Sequence, residues 1–326
     1  MATTEPFEDM ERRQPAELVT LYELEPEVRD VIVEGSNDKA FFDWYLSQID
    51  HRGNLIRVYA VGDRVYLPDG EVLDGGHTAG ERGRVVRLAE ILNDLAPDCT
   101  SALMIADSDY ASIALDKKPE IPGLFFTDYA SLESYTLSDH VIDKLLRVVF
   151  AAPAEISAPM VLRAIKDPLT ASFLIGACLR EADTGAAISP KAVDRIPLAT
   201  PCPDDVIREV FRISLKEKAR EISVDNLTRR YGELRKSVTD DFRNFVRGHD
   251  IAHFVVKFLK ENCKRVFTKE DGRRRGLQSP ELLEIALMSC LEYQKLRSEK
   301  LFAAVELWLS RASATESEPP GAAACA

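Results

Sequence analysis

The sequence predicts an α/β protein, with a Rossmannoid parallel sheet between Asp30 and about Leu137 and a mostly α-helical part after it. Three observations carry that prediction. Up to Leu137, short β-branched or apolar runs alternate with stretches of helical spacing, the pattern of βαβ units. Two of those runs end directly in acidic motifs. Beyond Leu137 the apolar residues recur at helical spacing, with Pro-containing breaks near Ala152-Pro153, Pro197 to Pro203 and Gly272 to Pro280.

Taken in order, residues 1–28 read as an N-terminal extension, acid-rich and without the basic start and apolar run of a standard signal peptide. Residues 29–138 read as the α/β domain. Its first strand covers Val31 to Val33 and stops at Gly35. A helix follows, with Phe41, Phe42, Tyr45, Leu46 and Ile49 on one face and Ser36 or Asn37 as its N-cap. Leu55 to Val61 reads as a second strand, and Gly62 to Gly83 as a long Gly- and Asp-rich loop. Val85, Leu88, Ala89, Leu92 and Leu95 mark a helix that Pro97 ends; Ala102 to Ala106 and Gly123 to Thr127 are further strands. Residues 139–311 read as a helical domain. Residues 312–326, with Pro319-Pro320-Gly321 and small side chains, read as a disordered tail.

A chain of 326 residues with 45% hydrophobic content can bury a substantial core and more readily forms two domains than one. No stretch approaches the roughly 18 consecutive apolar residues of a membrane span. The six cysteines show no Cys-x-x-Cys pair, which argues against a zinc knuckle and points to a reducing cytoplasm. A formal net charge of −12 disfavours indiscriminate nucleic-acid binding while permitting a local basic patch.

The acidic motifs are Glu34 to Asp38, after the first strand, and Asp107-Ser108-Asp109, after the third. Ligands of open parallel sheets bind beyond the carboxyl ends of the strands. Asp107 and Asp109 would point the same way in an extended chain, and Asp38 could reach back across the Gly35 turn. Gathered carboxylates repel one another by about 4 kcal/mol per close pair at an effective dielectric near 20, which asks for a divalent cation. Magnesium, or manganese, suits such oxygen ligands and accepts phosphate oxygens as well. The plainer reading of each motif also stands: Asp38 as a helix-start carboxylate, Asp-Ser-Asp as turn chemistry.

These residues resemble the Toprim family of topoisomerases, primases and overcoming-lysogenisation-defect nucleases, and more nearly a group of bacterial Toprim proteins that includes the effector of the PARIS anti-phage system. The resemblance rests on Val33-Glu34-Gly35-x-x-Asp38, Asp107-x-Asp109, Leu132-Glu133-Ser134-Tyr135-Thr136-Leu137 and Arg247-Gly248-His249-Asp250, and covers most of Asp30 to about Leu259. Ser134 stands where the group has asparagine. The resemblance implies a magnesium-dependent nuclease acting on DNA or tRNA-like RNA, with Glu34, Asp38, Asp107 and Asp109 as metal ligands and Glu34, Asp107 and Asp109 in catalysis. It also implies a defence role under a nearby ABC-type ATPase; the chain itself has no Gly-x-x-x-x-Gly-Lys-Ser/Thr loop. A Toprim-fold module that binds nucleic acid or a partner without cutting is the alternative. A homodimer is admitted; a membrane is not.

His249 and His253, at i and i+4, resemble half of a zinc-peptidase motif, but Asp250 replaces its glutamate and no third ligand is evident. The reading preferred for Arg247 and His249 is an approach to a phosphate or to the acidic site, with His249 in catalysis. Basic residues cluster at Lys257, Lys260, Lys264, Arg265, Lys269 and Arg273 to Arg275, with Arg229, Arg230, Arg235 and Lys236 before them. Such a bias suggests phosphate contact, although most charge runs are solvated helix faces. Lys39, Arg247, Arg273, Arg274 and Arg275 are the candidate substrate contacts.

Overall fold

Every residue of the strand Val28–Val33 (β1) is buried, the condition of an inner strand covered on both faces. In the computed structural model, which describes residues 12–50, 55–198, 201–216, 222–267 and 276–314, this strand lies inside a four-stranded parallel sheet. The others are Leu55–Ala60 (β2), Ala102–Ala106 (β3) and Leu124–Phe126 (β4), in the order β2-β1-β3-β4. β1 pairs on one side with β2, Val28 opposite Leu55, and on the other with β3, Ile32 opposite Met104. The protein is thus α/β, as the alternating pattern predicts.

The helices, in chain order, are Pro15–Leu24 (α1), Ser36–Leu46 (α2), Val61–Arg64 (α3), Asp69–Asp74 (α4) and Glu81–Leu95 (α5). There follow Asp139–Lys144 (α6), Ala158–Glu181 (α7), Pro190–Val193 (α8), Asp204–Leu215 (α9) and Val224–Arg235 (α10). Gly248–Asn262 (α11), Pro280–Ser289 (α12), Tyr293–Leu296 (α13) and Lys300–Ala314 (α14) complete the order among the described residues. None of them is long and apolar enough to cross a membrane.

The chain divides into two compact units: unit 1 takes 1–107, 119–127 and 293–326, and unit 2 takes 108–118 and 128–292. In unit 1, Val28 and Ile32 of β1 share a core with Leu18 and Tyr22 of α1 and with Val85, Leu88 and Leu92 of α5. Phe41, Phe42 and Tyr45 of α2 pack instead on Phe302 of α14, with ring centroids 5.9, 6.0 and 4.7 Å away. The last helix therefore groups with the sheet rather than with the helices that precede it. α1 likewise belongs to the packed unit, since Leu18 and Tyr22 are buried.

Three local expectations change. Gly35, not Ser36 or Asn37, is the N-cap of α2. The segment from Gly62 to Gly83 is not one loop, because α3, α4 and the start of α5 lie within it. β1 begins at Val28, three residues before its β-branched run, and takes Arg29 and Asp30 into the sheet. Unit 2 is built on α7, whose Phe173 meets Phe245 at 5.9 Å and Tyr110 at 4.8 Å between ring centroids. Residues 315–326 of the expected tail lie outside the described residues.

Candidate functional site

Parallel pairing of β1 with β3 carries the chain ends that follow them, Glu34 and Asp107, to the same edge of unit 1. The Glu34 carboxylate accepts the Asp107 main-chain N–H at 2.6 Å, so the two acidic motifs meet. Arg82, in the first turn of α5, donates from Nε to the Asp107 carbonyl oxygen (2.8 Å) and lies over the Phe126 ring at 5.5 Å. No motif marks Arg82, which is brought to Asp107 by long-range packing. Asp38 accepts the Gly35 N–H at 3.0 Å and so closes the start of α2, where a carboxylate also favours the helix dipole. Lys39 is ion-paired with Asp43 one turn along the same helix.

The expectation that Asp107 and Asp109 share a direction in an extended chain does not hold. Ser108 is in the right-handed helical region and Asp109 has φ 44°, so the chain turns sharply where the strand has ended. Aspartate is among the few residues that take the left-handed region at modest cost. Asp109 belongs to unit 2, where its N–H donates to the Ala130 carbonyl at 2.7 Å.

Each member of the Arg247-Gly248-His249-Asp250 stretch has a distinct place in unit 2. Arg247 lines a cavity of about 300 Å³ together with Tyr110, Gly176 and Arg180. Burial pushes the Tyr110 hydroxyl up to about 12, so it faces that cavity as a neutral group. Gly248 opens α11, and a side chain there would overlap the Glu133 carboxylate and the Ser131 hydroxyl. His249 Nδ1 lies 3.2 Å from Glu284 Oε2 on α12. That hydrogen bond, reinforced by the charge of Glu133, pushes His249 up to about 9. Asp250 is buried and accepts the Ser172 hydroxyl of α7.

His253 turns to a different acid, its Nε2 3.1 Å from Asp194 Oδ1, and burial holds its pKa down. The two histidines of α11 thus share no acidic partner, which removes the geometric basis for a zinc-peptidase site. Ser134, in place of the resemblance's asparagine, is fully buried and its hydroxyl meets the Ser131 N–H at 3.4 Å, within the short 3₁₀ turn Leu132–Thr136.

Several of the basic residues are engaged internally. Lys257 donates to the carbonyl oxygens of Asp194 (2.8 Å) and Ile196 (2.6 Å), and Arg230 pairs with both Glu181 and Glu233. Lys269, Arg273, Arg274 and Arg275 lie outside the described residues.

Among the described residues, the set of three ligand-type side chains that converges lies in unit 2 and is not made of the strand-end acids Glu34, Asp38, Asp107 and Asp109. Glu133, His249 and Glu284 each offer a donor atom within 4.8 Å of the other two. Glu284 belongs to no motif, so nothing in the sequence singled it out. No protein-family model matches this chain, and no curated protein matches it.

Proposed function

We propose that the chain is a Toprim-type, metal-dependent nuclease that cleaves phosphodiester bonds of DNA or tRNA-like RNA. The observation that carries this reading is the 2.6 Å contact between the Glu34 carboxylate and the Asp107 N–H, at the ends of adjacent parallel strands. An all-carboxylate donor set fits a hard, oxygen-seeking dication such as Mg²⁺ or Mn²⁺. Glu34 and Asp107 would hold it, with Asp109 and Asp38 as the further carboxylates of the two motifs. When bound, the cation supplies charge neutralisation at the scissile phosphate and lowers the pKa of a water. Glu34 contributes rigidity, because a carboxylate fixed by a main-chain N–H presents its ligand oxygens in one orientation. His249, Arg247, Lys39 and Arg273 to Arg275 are the proposed contacts to substrate phosphate.

The setting proposed with it is the cytoplasm, as an anti-phage effector held in check by an ABC-type ATPase. The five described cysteines are all unpaired with one another, in keeping with a reducing compartment. The second reading, a Toprim-fold binding or sensor module, is favoured by the structural use of the same acids: Glu34 accepts one main-chain N–H and Asp38 another.

Incubation of DNA and tRNA with the full chain and Mg²⁺ or Mn²⁺, with and without the ATPase, separates the two. Cleavage that falls about 100-fold or more in Glu34→Gln and Asp107→Asn supports the nuclease. Binding without cleavage under all four conditions supports the module instead.

A further inference from the structure

The cluster in unit 2 differs chemically from the strand-end acids of unit 1, because it contains an imidazole. Its members come from three separate segments: Glu133 from the 3₁₀ turn Leu132–Thr136, His249 from the first turn of α11, and Glu284 from the middle of α12. Their ligand-type atoms lie within 4.8 Å of one another, near enough for small side-chain rotations to bring them around one ion. Local geometry reserves space for this convergence. Any side chain at position 248 would displace the Glu133 carboxylate, so the glycine there allows that carboxylate to sit against the start of α11.

Charge gives a second, independent reason. Glu284 has a side chain only 14% exposed, and among the described residues neither it nor Glu133 forms an ion pair with a lysine or arginine. A helix N-terminus favours one carboxylate, with a strength equivalent to about half a unit charge, and leaves the second uncompensated. Among the described residues, His249 is the basic side chain that meets Glu284, and a single imidazolium balances only one of the two carboxylates. A dication balances both.

We propose that Glu133, His249 and Glu284 bind a first-row transition-metal dication of the zinc or manganese class, through two carboxylate oxygens and one imidazole nitrogen. The imidazole sets this site apart from a magnesium centre, since Mg²⁺ takes oxygen ligands almost exclusively while Zn²⁺ and Mn²⁺ accept nitrogen. His249 is 79% exposed and forms the outer wall, so the ion has a coordination position open to water or to a solute. The site shares His249 with the nuclease reading but none of that reading's strand-end ligands Glu34, Asp38 and Asp107, since all three of its own ligands come from unit 2.

The test uses the full chain stripped with chelator and titrated calorimetrically with Zn²⁺, then with Zn²⁺ in the presence of excess Mg²⁺. Wild type is expected to bind one Zn²⁺ that Mg²⁺ does not displace, and to melt at a higher temperature with the ion than without it. His249→Ala and Glu284→Gln are expected to weaken binding about tenfold or more and to abolish the thermal shift. His249 is exposed, so its alanine variant keeps the fold, which melting without metal verifies. Glu34→Gln should bind Zn²⁺ as wild type does, whatever its effect on cleavage, so the two readings fail separately. X-ray absorption should show nitrogen and oxygen neighbours with imidazole scattering. Absence of Zn²⁺ binding, undiminished affinity in His249→Ala, or a sulfur neighbour drawn from a cysteine would each overturn the assignment.

Discussion

Asp30 and Glu34 stand four residues apart on one stretch of chain, and their surroundings are opposite. Asp30 lies inside β1, fully buried, and its Oδ2 receives the Tyr22 hydroxyl (3.0 Å) together with Arg64 Nη2 (2.7 Å) and Nε (3.1 Å). Glu34 lies just past the strand, half-buried, with its carboxylate on a main-chain N–H. A carboxylate within a covered strand must bring its own cation, because an unpaired charge there is too costly. One beyond the strand end can be held by the backbone and still face the edge where parallel sheets receive ligands. Burial alone would rank Asp30 as the more constrained acid, yet its partners mark it as structural.

The sharpest way to break this contrast is Asp30→Ala, which leaves Arg64, only 4% exposed, as an uncompensated buried charge. Denaturant unfolding should show a loss of about 3–5 kcal/mol, most of it recovered when Asp30→Leu is combined with Arg64→Met. A single-variant loss under about 1 kcal/mol would put Asp30 in the same category as Glu34. Next in size, Glu34→Gln should change stability by less than about 1 kcal/mol, since the amide oxygen can still accept the Asp107 N–H. A cooperative collapse of the fold in that variant would make Glu34 a structural acid and remove the distinction. Smallest, Asp38→Ala removes the acceptor for the Gly35 N–H and should cost about 1 kcal/mol in a thermal melt. A neutral outcome would mean that Asp38 contributes little to the start of α2.

The sheet was legible because inner parallel strands are continuous apolar runs, and β3 matches its run residue for residue. β1 was only half legible: Arg29 and Asp30 break the apolar run, and nothing local shows that Arg64 and Tyr22 accommodate the acid. The helices α3 and α4 span four and six residues, too short for a period to register among glycines and aspartates. The place of α14 depends on Phe302 meeting Phe41, Phe42 and Tyr45, a contact that its own periodicity does not contain. Of the site, the two acidic motifs were visible because each follows a strand. The turn at Asp109 was legible only as the plainer, turn-chemistry reading of Asp-Ser-Asp, and its left-handed backbone was not, since that is set by surroundings rather than by spacing. Glu284 and Arg82 were invisible for a related reason, since each matters through a residue distant in sequence.

The division of the chain into units bears on its synthesis. The polypeptide leaves unit 1 after Asp107, returns for 119–127, leaves again, and comes back at Tyr293. On the ribosome the sheet's four strands therefore emerge long before Phe302, the residue that covers Phe41, Phe42 and Tyr45. Domains generally mature from the N-terminus as they are made, but here the first unit to begin is the last to be completed. A nascent chain carries the Glu34 and Asp107 edge with one aromatic surface still bare until α14 has been made and closes over it.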